Sequence, residues 1–426
     1  MVSHSNNQSI QPMTKQHAVS LEIPILSDQI EILTSLLNQG KNPSVKGSFF
    51  DFSNLKSVHF ARWIIAPKTE KFEACLIYAA NIDGSIQQHL KDLTLLFSKE
   101  LHILFSCCVN YSISEENHND KLLNYLTKHL IKTPGFYVGA PNRTVQQIHL
   151  ETELHSAIKS FVQKNSAKWN SKSEAYSAIK NFITNDPKWD WVKQPYRLPQ
   201  KNYFKTFVLV LLLLLSLPIL LIYVIVIHFF YELQAKPFGK NQNQIPEKHL
   251  NEVKQQEDII YQNQLSQVFE TKGGLRKIGL KFVLWATSYA AKNWFVEGRL
   301  MGTPTIHFAR WILINGGNRF VFFSNFDGSF DEYLGDFVDN NGWGLNAIYG
   351  AAKHYPKTLF MFGKGSYKIL EFMGWGRLTQ ITTPIWYSAY PWSGLQQIVD
   401  RSKLRVEIGN PKNLNNTQIS KMLRRI

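Results

Sequence analysis

"HFARWIIAPKTEKFEACLIYAANIDGS" occupies residues 59–85, and "HFARWILINGGNRFVFFSNFDGS" occupies residues 307–329. Both stretches begin with the same HFARW string and end on Asn-x-Asp-Gly-Ser, so one chain carries the same module twice. Their β-branched and aromatic residues predict two strands in each copy, and Gly-Gly-Asn in the second copy predicts a tight turn. Each copy is therefore predicted to be a β-hairpin.

The residues around each hairpin predict helices. Gly84 and Gly328 allow the positive φ that ends a strand abruptly. Each glycine is followed by a serine that has Gln or Glu three residues later, which is the arrangement of a capping box. Apolar residues then recur at spacings of three and four, as they do on one face of a helix. A further helix is predicted before each hairpin, at 27–39 and 275–294.

These elements predict an α+β fold in which each half has a small antiparallel sheet covered by helices on one face. The order is compatible with tandem ferredoxin-like repeats that pair sheet to sheet, as in a dimeric α+β barrel, with one membrane-embedded helical segment. The expected layout is a disordered leader at 1–20, a first α+β repeat at 21–200, a membrane segment at 204–231, a linker at 232–272, a second α+β repeat at 273–410 and a basic tail at 411–426.

The membrane segment is predicted from an uncharged run of 21 residues, "FVLVLLLLLSLPILLIYVIVI", at 207–227. About 20 apolar residues cross a bilayer core as a helix, and aromatic residues flank this run on both sides as an interfacial belt. Pro218 is expected to kink the helix in the middle. A single kinked span would separate the two halves, whereas a helix–Pro–helix dip would keep them on one side of the membrane. Hydropathy favours the span, and the internal repeat favours the dip.

Composition narrows the classes of partner. The net charge of +15 favours anionic partners, and the apolar run makes membrane lipid a better candidate than nucleic acid, for which no motif is present.

The three cysteines have no metal-site spacing and are predicted to be buried, reduced thiols. A cytoplasmic location of the soluble domains, attached to the inner membrane, is the expectation. The stretch 273–298 is either an interfacial helix or a domain helix packed on a sheet.

The repeated polar residues are the candidate catalytic groups, and the second repeat has the fuller signature. They are His307, Arg310 and Asp327, with the first-repeat counterparts His59, Arg62 and Asp83. Strand alternation predicts that His307 and Arg310 point to opposite faces of their strand. Arg310 is expected to pair with Asp327 across the hairpin as a structural ion pair, and turn and cap chemistry accounts for the Asn-x-Asp-Gly-Ser positions. No metal site is predicted.

The HFARW…NxDGS signature resembles that of a family of uncharacterised bacterial proteins, some of them membrane-attached. The tandem α+β layout is also similar to the dye-decolourising peroxidase and chlorite-dismutase-like superfamily, whose Gly-x-x-Asp-Gly motif places an aspartate beside a haem. The leading glycine of that motif is missing here. The likeness implies a possible haem, with Asp327 as a distal acid–base residue, Arg310 as a charge stabiliser and His307 or His354 as an axial ligand.

Three functional hypotheses follow. The first is a membrane-attached, non-enzymatic binding or interaction protein. The second is a peroxidase-like or monooxygenase-like oxidoreductase with its site in the second repeat, acting on a small molecule. The third is a lipid-handling protein that uses a basic, aromatic surface at the bilayer. Other catalytic templates, such as GxSxG, the Walker A sequence, HExxH and the dinucleotide-binding glycine motif, do not occur in the chain.

Overall fold

The computed structural model describes residues 14–39, 49–112, 118–194, 196, 198–236, 245–296 and 298–426. The fold is mixed α+β with antiparallel sheets, as the sequence predicted. The strands are β1 (Gln16–Pro24), β2 (Val58–Ala66), β3 (Cys75–Asp83), β4 (Gly135–Val138), β5 (Gln262–Glu270), β6 (Ile306–Ile314), β7 (Arg319–Asp327), β8 (Thr358–Leu359), β9 (Gly363–Lys364) and β10 (Ile385–Ser388).

Helices surround these strands. They are α1 (Ile30–Gln39), α2 (Ile86–Leu96), α3 (Ser98–Phe105), α4 (His118–Lys128), α5 (Val145–Asn165), α6 (Lys172–Thr184), α7 (Tyr203–Leu215), α8 (Leu217–Ile227), α9 (Glu247–Lys254), α10 (Gly274–Asn293), α11 (Phe330–Tyr349), α12 (Ile369–Thr379), α13 (Leu395–Gly409) and α14 (Asn416–Leu423). The helices that follow the two hairpins begin as predicted, because Ser85 caps α2 and Ser329 caps α11.

Two four-stranded sheets form the centre, and each contains one strand from the other half of the chain. The first sheet has the order β1-β3-β2-β10, and the second has the order β4-β6-β7-β5. In the first sheet Trp386 of β10 lies opposite Arg62, and in the second Phe136 of β4 lies opposite Arg310. The two halves therefore exchange their last strands in the same register and are not two independent units along the chain.

Helices pack on the outer face of each sheet, and the inner faces of the two sheets pack against each other. One core lies between the first sheet and helices α1 to α4, and another lies between the second sheet and helices α10 to α12. A third core joins α5 and α13, which follow the two exchanged strands. The inner faces contact each other through buried apolar side chains of both hairpins: Ile64, Ile77, Ala79, Ile312, Ile314, Val321 and Phe323.

A β-bulge interrupts β2 at His59 and β6 at His307. Val58 lies opposite Ile82, but Phe60 lies opposite Asn81, so one extra residue is inserted into the strand. The same shift occurs between Ile306 and Phe308. A bulge breaks the simple alternation of side chains between the two faces of a sheet.

Several expected segment boundaries differ from the structure. The segment expected as a leader contains β1 from Gln16 onward, although residues 1–13 lie outside the described residues. The expected linker at 232–272 contains α9 and β5, and the expected basic tail contains α14. Strand β5 was missed because its polar residues, "QNQLSQVFE", are buried by partners distant in sequence, such as Tyr390 for Gln262 and Gly376 for Gln267, which the local sequence pattern does not reveal.

The apolar segment forms two helices in place of one. Helices α7 and α8 meet at Ser216, and the pair Tyr203–Leu215 and Leu217–Glu232 is bent by 62°. Pro218 lies in the first turn of α8, where a proline is tolerated, so the break lies just before it and not at it. In the described part of the chain no single helix is long and apolar enough to cross a membrane, and this bent pair meets only the length and composition requirement.

Helix α10 has two contrasting faces. Leu280, Leu284 and Ala291 are buried against the second sheet. Ile278 and Trp285 are exposed on another face of the same helix. Helix α10 is thus a domain helix that also presents an apolar stripe on the surface.

Burial of His89 makes the fold sensitive to acid. His89 on α2 hydrogen bonds through Nε2 with the Tyr78 hydroxyl, and burial lowers the pKa of His89 from 6.5 to about 3. The unfolded chain therefore binds a proton there as the pH falls below 6.5, whereas the folded chain does not. The stability of the fold with neutral His89 is therefore fully present above pH 6.5, and part of it is lost as the pH falls toward 3.

When the pH is lowered from 7 to 5, the unfolding free energy of both proteins is expected to fall. We expect the fall in the His89→Phe variant to be about 2 kcal/mol smaller than in the parent chain. Urea unfolding at the two pH values measures this difference. The lost hydrogen bond to Tyr78 affects the variant at both pH values and therefore cancels. An identical pH dependence in the two proteins would contradict the prediction.

Candidate functional site: the histidine–aspartate and arginine layer between the sheets

Each hairpin carries a buried histidine–aspartate pair. His59 Nε2 lies 2.9 Å from Asp83 Oδ1, and His307 Nε2 lies 2.7 Å from Asp327 Oδ1. Both histidine rings are at most 1% exposed. The sequence had singled out all four residues, and the structure joins them in these two equivalent pairs.

The second carboxylate oxygen of each aspartate binds the start of a helix. Asp83 Oδ2 accepts a hydrogen bond from the N–H of Val145 at the first position of α5, at 2.9 Å. Asp327 Oδ2 accepts one from the N–H of Leu395 at the first position of α13, at 2.7 Å. A carboxylate at a helix N-terminus satisfies a free donor and complements the helix dipole. Each aspartate therefore fixes the helix that follows an exchanged strand.

The arginine of each HFARW string reaches across to the other sheet. Arg62 donates from Nη1 to the Leu265 carbonyl at 2.9 Å and from Nη2 to Asn325 Oδ1. Arg310 donates from Nη1 to the Val19 carbonyl at 2.6 Å and from Nη2 to Asn81 Oδ1. The asparagine of each Asn-x-Asp-Gly-Ser motif is thus the partner of the other half's arginine.

This geometry corrects two expectations. Arg310 does not pair with Asp327, because it crosses the interface to Asn81 while Asp327 binds His307. The alternation argument also fails, because the bulge turns His307 toward the inner face that Arg310 occupies. The His307 ring lies 5.5 Å from the Phe60 ring of the other sheet, whereas Ala309 and Trp311 belong to the outer core.

Burial of the two guanidinium groups has an electrostatic cost, because no acidic side chain in the described part of the chain forms an ion pair with them. Desolvation lowers the pKa of both Arg62 and Arg310, and the positive charge of Arg310 adds to the effect on Arg62. Carbonyl, hydroxyl and amide oxygens of the opposite sheet replace the lost water. These bonds require the two sheets to remain together.

Aromatic side chains fill the space around the two pairs. Phe60 and Phe308 pack against each other at 5.7 Å, and Tyr390 packs on Phe60 at 5.4 Å. The Tyr390 hydroxyl hydrogen bonds with His59 Nδ1 at 2.8 Å. Burial, with the nearby carboxylates, raises the pKa of Tyr390 well above its usual value. Sequence reasoning missed Tyr390 because it lies outside the repeated strings.

The candidate residues do not fit a haem site. Asp327 uses both carboxylate oxygens in hydrogen bonds, and Arg310 is bound to the opposite sheet. His307 Nε2 is bound to Asp327, and the buried His307 ring packs against the rings of Phe60 and Tyr390. Among the residues that the structure describes, no group of three or more His, Cys, Asp or Glu side chains is arranged to hold a metal ion.

His354, the alternative axial ligand, lies elsewhere. It lines an open cleft of about 400 Å³ together with Glu270 and Lys353, whose side chains form an ion pair at 2.5 Å. The cleft lies beside the end of β5 and shares no lining residue with the histidine–aspartate pairs. The structure therefore does not bring His354 together with His307, Arg310 and Asp327.

Comparison of the chain with family models, with curated proteins and with solved structures found no match. The geometry alone therefore assigns roles to these residues. Their contacts join strands, sheets and helix ends from both halves of the chain, which is a structural role.

Proposed function

We propose that the chain is a monotopic membrane-surface protein, in which the bent pair α7–α8 enters and leaves one leaflet and holds an α+β binding or interaction body at the bilayer. The observation that carries this proposal is that both ends of the pair are attached to opposite ends of α10. At one end, the Asn202 N–H donates to the Asn293 carbonyl at 2.7 Å. At the other end, the Leu275 N–H donates to the Tyr231 hydroxyl at 3.1 Å.

The dimensions of the bent pair suit a shallow insertion. At 1.5 Å per residue the two arms are about 20 Å and 24 Å long, and the 62° bend raises the apex about 10 Å above the line between their ends. The hydrocarbon core of a bilayer is about 30 Å thick, and interfacial helices enter to about 5–10 Å. The bent pair at 203–232, here called the arch, is attached at both ends to α10 and therefore fits one leaflet better than a crossing.

The surface of the arch has the composition that lipid requires. Residues 206–231 contain no Asp, Glu, Lys or Arg. Leu215 and Ile219 flank the bend and are 71% and 72% exposed. The exposed stripe of α10 lies alongside, and α10 itself carries four basic residues and no acidic residue. A contiguous apolar surface of this kind, bordered by positive charge, is typical of membrane attachment.

We also propose that the body is a fused pair of ferredoxin-like units, related to the dimeric α+β barrel arrangement. Each half follows the order β-α-β-β-α-β, with additional helices and, in the second half, the short hairpin β8–β9, and the exchanged strands have equivalent registers. The matched contacts of Arg62 and Arg310 support a common origin of the two halves. Because the two units exchange strands and share a buried interface, this proposal requires both to lie on the same side of the membrane.

Flotation with phospholipid vesicles tests the membrane proposal. We expect the parent chain to float with vesicles and the double variant Leu215→Glu with Ile219→Glu to lose at least tenfold in binding, because two charges at the apex resist entry into hydrocarbon. The matched control is Leu95→Glu with Leu96→Glu, which alters two exposed leucines at the end of α2. This control is expected to float like the parent chain.

Equal flotation of the apex variant and the parent chain would contradict the proposal.

The membrane topology of the chain in cells is a second test. Protease-accessible tags at the two termini are expected to be accessible from the same side of the membrane. Protection of one terminus alone would show a crossing segment and overturn the arch.

A further inference from the structure

We propose that residues 355–370, here called the aromatic loop, form a second membrane contact that favours anionic headgroups. This inference rests on the proposed function, because the aromatic loop extends the surface that the arch presents. The aromatic loop comprises the hairpin β8–β9 and the start of α12. Its occupant is the headgroup region of the same leaflet that the arch enters.

Large apolar side chains of the aromatic loop point to solvent. Phe360 and Phe362 are more than two-fifths exposed, and Leu370 is 85% exposed. Tyr367 and Trp343, which lies next to Phe362, are also exposed. Aromatic residues of this kind are enriched where protein meets the headgroup layer.

The backbone of the hairpin turn adopts a conformation that ordinary side chains disfavour. Phe360, Met361 and Lys364 have φ values of 47°, 64° and 53°. Glycine or asparagine usually occupies such positions, and bulky residues there cost free energy. The turn thereby presents Phe360 and Phe362 at the tip while Met361 is buried. Strain that holds apolar side chains in solvent points to a binding role for the tip.

Direct contacts fix the aromatic loop to the end of the arch. Glu232 Oε1 accepts hydrogen bonds from Thr358 Oγ1 at 2.6 Å and from the Met361 N–H at 2.9 Å. The His228 ring stacks on the Phe360 ring at 4.0 Å. The exposed Phe229 and Phe230 of the arch therefore lie beside the tip of the hairpin. The arch and the aromatic loop form one continuous surface.

The charges of the aromatic loop complement an anionic leaflet. Residues 355–370 contain three lysines and no acidic residue. Lys357 donates to the Leu233 carbonyl next to the arch, Lys364 is exposed, and Lys368 pairs with Glu371. Lysines beside an apolar tip can bind lipid phosphates while the rings enter the interface.

An environment-sensitive fluorophore tests the contact. The probe NBD is attached to a single introduced cysteine in each of three variants, Phe362→Cys in the aromatic loop, Ile219→Cys in the arch and Leu95→Cys as a control. The three native cysteines are buried, and burial raises their thiol pKa, so they compete poorly for the label. The vesicles contain phosphatidylcholine alone or with phosphatidylserine at three parts in ten.

With phosphatidylserine vesicles we expect a blue shift and increased emission at positions 219 and 362, and no change at position 95. A shift at position 219 without one at position 362 would overturn the aromatic-loop contact and leave the membrane proposal for the arch in place. The same result is expected if the aromatic loop binds a protein partner and not lipid. No shift at either position would overturn both proposals.

Charge substitutions test the preference for anionic lipid. The double variant Lys357→Gln with Lys364→Gln is expected to bind phosphatidylserine vesicles roughly 30-fold more weakly and phosphatidylcholine vesicles nearly unchanged. The matched control, Lys91→Gln with Lys99→Gln, removes two exposed lysines near α2 and is expected to bind like the parent chain. Equal weakening by the two double variants would overturn the assignment to the aromatic loop.

Discussion

Replacement of Arg310 by alanine is expected to lower the free energy of unfolding by about 4 kcal/mol. The change removes the donors that the Val19 carbonyl and Asn81 Oδ1 use in the buried layer between the sheets. It also leaves a cavity of side-chain size beside Phe136, on whose ring the guanidinium lies at 5.9 Å. Domains are typically stable by only 5–15 kcal/mol, so much of the stability depends on this residue.

Urea unfolding of Arg310→Ala measures the loss, and Arg299→Ala, at an exposed position, is the matched control. Arg62→Ala is expected to match Arg310→Ala, because Arg62 makes the equivalent crossing to Asn325. Arg310→Met keeps most of the volume and separates the packing contribution from the hydrogen bonds. A loss below 1 kcal/mol in both alanine variants would show that the crossing does not hold the sheets together.

Separation of the chain into 1–201 and 245–426 is expected to abolish folding of each piece alone and to restore it on mixing. The first piece would lack β10 beside β2, and the second would lack β4 beside β6. Each would also expose its inner apolar face, which in the second piece includes Ile312, Val321 and Phe323. Exposure of a handful of such side chains costs roughly 10 kcal/mol in total, comparable with the whole stability of a domain.

Circular dichroism and size-exclusion chromatography of the two pieces, alone and mixed, measure this dependence. Neither piece contains the apolar segment, so aggregation through that segment is avoided in both. The expected product of mixing is a one-to-one complex with the secondary structure of the intact chain apart from α7 and α8. Stable, monomeric folding of either piece alone would show that the strand exchange is dispensable.

Local sequence patterns predicted the elements that depend on neighbours in the chain. The β-branched and aromatic residues at 59–85 predicted the β2–β3 hairpin, because strand formation and turn formation depend on residues close in sequence. Ser85 and Ser329 predicted two helix starts for the same reason. The polar strand β5 escaped detection because its burial depends on β7 and on Arg62, which are distant in sequence.

The candidate residues show the same division. The sequence singled out His307, Arg310 and Asp327 because their types repeat, but it paired Arg310 with the wrong partner. The bulge at His307 depends on how β6 aligns with β7, and local periodicity does not report that alignment. Tyr390 had no sequence signal, because its counterpart region lacks a tyrosine at that place.

By itself the sequence determined the fold class, the two hairpins, their capped helices and the apolar run, since each depends on propensities and spacings within short windows. The tertiary structure decided which strands share a sheet, which arginine meets which asparagine, and that both ends of the apolar run return to α10. These outcomes depend on contacts between residues far apart in the chain. The free energy of such contacts comes from burial against a partner surface, and that surface exists only once the other half has folded beside it.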